Sequence, residues 1–187
     1  MTVAIWVILG IIVLLVIIVI AMYNGLVRLR NQMKNAWAQI DVQLKRRYDL
    51  IPNLVETVKG YAKHERATLE AVTNARNLAQ AGTSAGVGER AKLEGELGGA
   101  LSRLLLVVEN YPDLKANKNF LALQEELTST ENKISFSRQY YNDSVLKYNN
   151  KTQMFPSNIV AGMTGFKSGE FFEVKAAAEK EAPKVSF

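Results

Sequence analysis

The sequence predicts an all-α protein: an N-terminal single-pass transmembrane helix followed by an antiparallel bundle of three to four long helices. Three observations carry that prediction. Residues Val3 to Met22 form an uncharged run of twenty residues containing one glycine. At about 1.5 Å per residue such a helix covers the roughly 30 Å hydrocarbon thickness of a bilayer. Beyond it, apolar residues recur at alternating steps of three and four, the spacing of helices that each bury one stripe. No internal repeat or strand-rich stretch interrupts the pattern, apart from a short candidate for extended structure at Glu170 to Val174. The expected organisation is an anchor over residues 1–23, a helical bundle over 24–155, and a wrapping segment with a mobile tail over 156–187.

The anchor comes first. Trp6 and Tyr23 stand near opposite ends of the apolar run, where amphipathic rings favour the two membrane interfaces. A cleaved signal peptide is the rival reading. No Lys or Arg precedes the run, its length exceeds the usual apolar region of about 7–15 residues, and YNGLVRLR offers no small-x-small cleavage site. A retained span is therefore expected. A buried helix of a soluble core fits less well, since almost nothing polar marks a solvent side. Arg28, Arg30 and Lys34 follow the run closely, whereas only the α-amino group precedes it. The positive-inside rule then sets the topology in the cell membrane: N-terminus outside, domain in the cytoplasm. Zero cysteines agree with a reducing compartment without requiring one. The net charge of +5 lies wholly behind the anchor and suits a domain held beside anionic lipid.

The first helix continues from the anchor. Leu26, Leu29, Met33, Trp37, Ile40, Leu44, Tyr48, Ile51, Val55, Val58, Ala62, Leu69 and Val72 share one face. Their phase survives Pro52, so a kinked helix, or a brief break with two parts nearly in line, is expected there. The small, glycine-rich QAGTSAGVG at 80–88 reads as a loop. A second helix is expected over Glu89 to Asn110, with Leu93, Leu97, Leu101, Leu104, Leu105 and Val108 inward. Tyr111-Pro112 ends it. A third runs from Lys115 to Phe155 and is stopped by Pro156. PSNIVAGMTGF, apolar but broken by Gly162 and Gly165, should wrap back onto the bundle, and AAAEKEAPKVSF should form the tail.

The search for chemistry is mostly negative. His64 is the single histidine, and HERAT at 64–68 starts like the zinc-protease pattern but has threonine where the second imidazole belongs. Glu-x-x-His pairs for a di-iron site are missing too. There is no cysteine and no Gly-x-Ser-x-Gly elbow, and the glycines at 82, 86 and 88 lack the Gly-Lys-Ser/Thr ending that holds phosphates. Glu125–Glu126, or Glu109 with Glu131, are carboxylate pairs of the kind that solvated helix faces carry routinely. No catalytic residue, cofactor, metal site or small-molecule substrate is expected. The basic balance raises nucleic acid as a partner, but acids interleave with the cations and no recognition motif is present.

Polar residues beside the stripes are more informative. Trp37, Asp41 and Lys45 lie a turn apart, as do Glu131, Ser135, Arg138 and Asn142. Either these are surface pairs worth a few tenths of a kcal/mol, or Asp41, Glu131, Arg138 and Asn142 meet between helices and set their register. The cations Lys45 to Arg47 lie more than about 30 Å beyond the anchor along a straight helix. They are expected to meet acids on neighbouring helices or a partner subunit.

Several long motifs point further. YNGLVRLRN, AWAQIDVQLKRRYDLIPNLVETVKGYAKHE, LLLVVENYPDLKANKNFLALQEEL, TENKISFSRQYYND, FPSNIVAGMTGF and the terminal KVSF, in this order over nearly the whole chain, resemble the LemA family of bacterial membrane-anchored proteins. The resemblance implies an N-terminal transmembrane helix and a cytoplasmic helical bundle with no established enzyme activity. It also implies links with membrane remodelling in magnetosomes and with a membrane zinc protease. The function expected is a non-enzymatic, membrane-tethered, self-associating helical scaffold in membrane organisation or envelope protein assembly. The alternative is an adaptor or regulator of a membrane zinc metalloprotease. The partners expected are the lipid bilayer, further copies of the chain, and such a protease.

Overall fold

A computed structural model of the chain describes residues 2–173. Six α-helices follow one another: α1 (Thr2–Tyr61), α2 (Arg66–Ala81), α3 (Val87–Val108), α4 (Pro112–Lys115), α5 (Lys118–Gln153) and α6 (Ser157–Thr164). No strand occurs among the described residues. Residues 170–173 carry no regular structure, and Val174 with the expected tail lies outside the described part. The chain forms two compact units. Among the described residues, one comprises 2–38 with Gln139–Glu170, the other Gln39–Arg138 with 171–173. The long helices α1 and α5 contribute to both.

The second unit is a four-helix arrangement. In α1 the residues Ile40, Leu44, Ile51, Leu54 and Val58 are almost wholly buried. In α3 Leu97, Leu101, Leu104 and Val108 keep the same alternating spacing. Each such side chain contributes about 1.5–3 kcal/mol by leaving water. Helix directions follow from the polar contacts. Tyr48 of α1 meets Arg76 and Ala79 of α2, equally far from the intervening turn, so these two helices are antiparallel. Tyr61 bonds Asn117 while Arg46 pairs with Glu126, which makes α5 antiparallel to α1. Asp41 pairs with Arg90 and Arg47 with Glu94, so α3 runs parallel to α1.

Pro52 does not break the first helix. α1 passes through it to Tyr61, and the chain turns instead at residues 62–65, so the stripe drawn as one helix to Val72 belongs to a hairpin of two. A proline has no N–H, and the carbonyl one turn before it loses its helical donor. That carbonyl is Tyr48 O, and Arg76 Nε of α2 donates to it at 2.9 Å. The vacancy in α1 therefore becomes a tie to α2. The glycine-rich stretch holds one 3₁₀ turn at Gly82–Ser84. The third long helix is divided from the short α4, and the Asn117 side chain caps α5 by accepting from the N–H groups of Asn119 and Phe120 at 2.9 and 3.1 Å.

The first unit contains the apolar stretch of α1, the C-terminal part of α5, and α6. Trp37 packs on Tyr141 with ring centroids 5.1 Å apart. Leu26, Val160 and Ala161 form a buried cluster, with Met22 and Phe166 against it. α6 ends on Gly165 at φ +73°, the left-handed conformation that glycine tolerates best, and Phe166 N–H donates to Ala161 O at 3.0 Å. The following irregular run is clamped by Asn149, whose Nδ2 donates to Gly169 O at 3.0 Å and whose Oδ1 accepts from Gly169 N at 2.7 Å. A Cβ at Gly169 would stand 2.6 Å from Met33 Sδ, so a larger residue there would require the flexible Met33 side chain to move.

The Tyr48–Pro52–Arg76 relation is testable by a double-mutant cycle in urea unfolding of the detergent-solubilised chain. Arg76→Ala leaves the Tyr48 carbonyl unsatisfied and is expected to cost about 1–3 kcal/mol. In a Pro52→Ala background the restored N–H takes that carbonyl, and the cost of Arg76→Ala should shrink towards a few tenths of a kcal/mol. Strict additivity would contradict this account of Pro52.

Candidate functional site

The most heavily built polar feature lies inside the second unit and gathers residues from α1, α3 and α5. Arg47 is 3% exposed, Arg90 2% and Glu94 4%. Their positions explain why. Arg47 falls in phase with Ile40, Leu44, Ile51, Leu54 and Val58, while Arg90 and Glu94 fall in phase with Leu97, Leu101, Leu104 and Val108. These charges occupy core positions of their helices.

Arg47 is the hub. Its Nη1 donates to both carboxylate oxygens of Glu131, at 2.9 and 3.1 Å, and its Nη2 donates to Glu94. The Tyr48 hydroxyl also donates to Glu94 and stands 3.3 Å from Ala79 O. Arg90 Nη1 pairs with Asp41 Oδ1 at 2.5 Å. Arg47 Nε has no hydrogen-bond partner among the described residues, which deepens its dependence on the two acids. Burial alone would lower the affinity of the Arg47 guanidinium for its proton, but Glu131 and Glu94 outweigh burial and raise it above the ordinary value. Burial first, then the bond to Glu94, pushes the Tyr48 hydroxyl up as well. At neutral pH the cluster thus holds a fixed cation and a protonated phenol against the Glu94 side chain. This arrangement sets helix register: each bidentate or shared carboxylate permits one sliding position of α3 and α5 against α1.

The sequence-derived site residues are distributed as follows. Asp41 and Glu131 enter interhelical ion pairs, but with Arg90 and Arg47 respectively. Arg138 is half-buried on α5, and no ion pair joins it to Asp41 or Glu131 among the described residues. Asn142 belongs to the other unit. Arg46 and Arg47 both meet acids of other helices, Arg46 through Glu126 at 2.5 Å on the surface. Trp6 is exposed, and Tyr23 makes an edge contact with Phe166 at 5.7 Å. Arg28 and Lys34 are exposed, while the Arg30 guanidinium lies 4.8 Å over the Phe166 ring. His64 is exposed in the turn between α1 and α2. Arg90, Glu94 and the central role of Arg47 were missed. The available signal was positional, because all three continue the alternating spacing of the apolar stripe.

Comparison with known proteins adds a consistent identity. A profile described as the LemA family matches residues 36–187. Magnetosome protein MamQ 2 of Paramagnetospirillum magneticum is 27% identical over 181 residues, covering 84% of this chain and 66% of the relative. Magnetosome protein MamQ of Magnetospirillum gryphiswaldense is 25% identical with the same coverage. Protein LemA of Metamycoplasma hominis is 30% identical over 142 residues, covering 74% of this chain and 63% of the relative. The chain thus spans slightly less than two thirds of the length of these relatives.

Two measurements probe the cluster. Arg47→Met strands Glu94 in the core and is expected to lower unfolding free energy by about 3–5 kcal/mol. Arg46→Met removes a half-exposed pair and should cost under about 1 kcal/mol; equal losses would deny the cluster its special place. The second concerns pH. Because the folded Tyr48 hydroxyl is raised above its ordinary value of 10.0, its stabilisation is complete below that value. It is lost as pH rises further, where only the unfolded chain gives up the proton. Tyr48→Phe should therefore flatten the decline of urea midpoint above pH about 10. Some slope should remain, because burial and then Glu170 push Tyr141 up to about 12.

Proposed function

The chain belongs to the LemA family, and from that membership together with its apolar first helix we propose a membrane-tethered helical scaffold that self-associates in the plane of the bilayer. The observation that carries this reading is α1 itself. One unbroken helix bears both a strongly apolar stretch, none of it buried, and the stripe that enters the bundle. The family and this helix together indicate a membrane-associated helical protein. A tether that continues as a bundle helix without an intervening loop restricts how the domain is presented. Confinement to a plane raises the effective concentration of lateral contacts, so weak surfaces suffice for assembly.

The scaffold acts in this reading without chemistry of its own. The buried cluster is engaged in holding helices in register, and its carboxylate and phenol are turned to one another. Relatives named as magnetosome proteins support a role in membrane organisation. The topology proposed places the N-terminus outside and the bundle in the cytoplasm, from Arg28, Arg30 and Lys34 behind the apolar run.

Crosslinking of full-length protein in native membranes should give adducts at regular multiples of the chain mass, with the same ladder after gentle extraction. A chain that stays monomeric at all crosslinker concentrations would overturn self-association. A metalloprotease recovered as the stoichiometric partner would favour an adaptor instead.

A further inference from the structure

We infer that α6 is an interfacial membrane helix, lying in the headgroup layer beside the apolar stretch of α1 with Phe155, Ile159 and Met163 directed into lipid. The inference rests on the reading that this stretch of α1 spans a bilayer. It concerns only the first unit.

The sequence is the first support. Residues 152–166, TQMFPSNIVAGMTGF, contain no charged side chain, while Lys151 and Lys167 flank them on either side. In a chain with 22% charged residues such a gap is conspicuous, and cations at both edges are what an anionic surface attracts.

The two faces of α6 are the second. Its inner face, Ser157, Val160 and Ala161, is buried. Its outer face carries Ile159 and Met163, four residues apart and exposed to 54% and 83%, and Phe155, in the turn just before the helix, is exposed to 79%. Met154 beside them is 63% exposed. Large side chains so far out of the fold leave apolar surface that water tolerates poorly.

Depth decides the occupant. The inner face of α6 packs on Leu26, with Met22 and Phe166 joining the same cluster. Met22 ends the apolar run, Asn24 and the first charge, Arg28, follow it, and Leu26 lies about 6 Å further along the helix axis than Met22. The headgroup layer on each side of the hydrocarbon is itself about 5–8 Å thick. α6 is therefore held at the level of the headgroups. α5 arrives at the same level from the other direction: the Lys151 stem lies over Gly25, 3.9 Å from where a Cβ would stand. Two residues later α5 ends, at Gln153, short of the hydrocarbon depth. The apolar outer face of α6 thus continues the exposed apolar surface of α1, and Arg28, Lys151 and Lys167 supply the cations that headgroup phosphates pair with.

The chain has no cysteine, so single-cysteine labelling is direct. Full-length Ile159→Cys, Met163→Cys, Val13→Cys and Asn35→Cys variants, each carrying a nitrobenzoxadiazole label, would be reconstituted in vesicles of phosphatidylcholine and phosphatidylglycerol. Nitroxide lipids labelled near the headgroup should give a several-fold loss of emission at positions 159 and 163. Nitroxides near the bilayer centre should do so at 13, and neither should quench 35, which iodide in the water should reach. If 13 is quenched by deep lipid while 159 and 163 respond to iodide as 35 does, α6 lies in water and the inference fails with the span intact. Labels at 159 and 163 shielded from lipid and iodide alike would also overturn it, in favour of a second copy or another protein. If 13 itself escapes lipid quenching, the reading of α1 as a span fails, and the inference with it.

Discussion

A guanidinium in the core of a helical bundle cannot be left to itself, and the second unit is organised around that constraint. Arg47 occupies a stripe position where an aliphatic residue would ordinarily pack, so acids must be brought to it from α3 and α5. Desolvating a charge costs several kcal/mol unless partners replace the lost water. An aliphatic core at this level would tolerate small slips of one helix along another, because hydrophobic contact is nondirectional. Arg47 does not: its Nη1, shared between both oxygens of Glu131, and its Nη2 contact with Glu94 are satisfied together at one register. Tyr48, one residue on, adds its hydroxyl to the same carboxylate and so links the α2 side of the bundle, near Ala79, to the cluster.

The same logic recurs at Pro52. A helix interrupted in its hydrogen bonding would ordinarily bend or end, yet a guanidinium from the neighbouring helix supplies the missing donor. In both places an arginine of one helix satisfies acceptors on another, and in both the sequence defect is local while its remedy is tertiary. The hairpin of α1 and α2 thereby acquires a directional tie that apolar packing alone would not provide.

The first unit solves a different problem. Its α1 segment presents exposed apolar surface all round, and in the membrane setting proposed above the elements that accompany it must end or turn before hydrocarbon depth. Backbone outside a helix needs water or protein partners, which lipid does not supply. Gly165 in the left-handed conformation reverses the chain after α6, and Asn149 takes both polar groups of Gly169. The return of the chain is thus bonded within the protein.

The sequence by itself determined the helical class, the long apolar N-terminal helix and the spacing of the stripes, because these depend on local periodicity and on a run of uncharged residues that no tertiary context can disguise. It also placed the ends near Tyr111-Pro112 and Pro156, where proline acts through its own covalent geometry. Only the tertiary structure decided that Pro52 is passed and that the chain turns at 62–65. The reason is that Arg76, which compensates the proline, lies on another helix, and the stripe keeps its phase across the turn. It likewise decided which acid each cation meets. Asp41 and Glu131 were legible as candidates from spacing, but spacing along one helix carries no information about the facing helix, so Arg90 and Arg47 emerged as their partners only when the helices were packed.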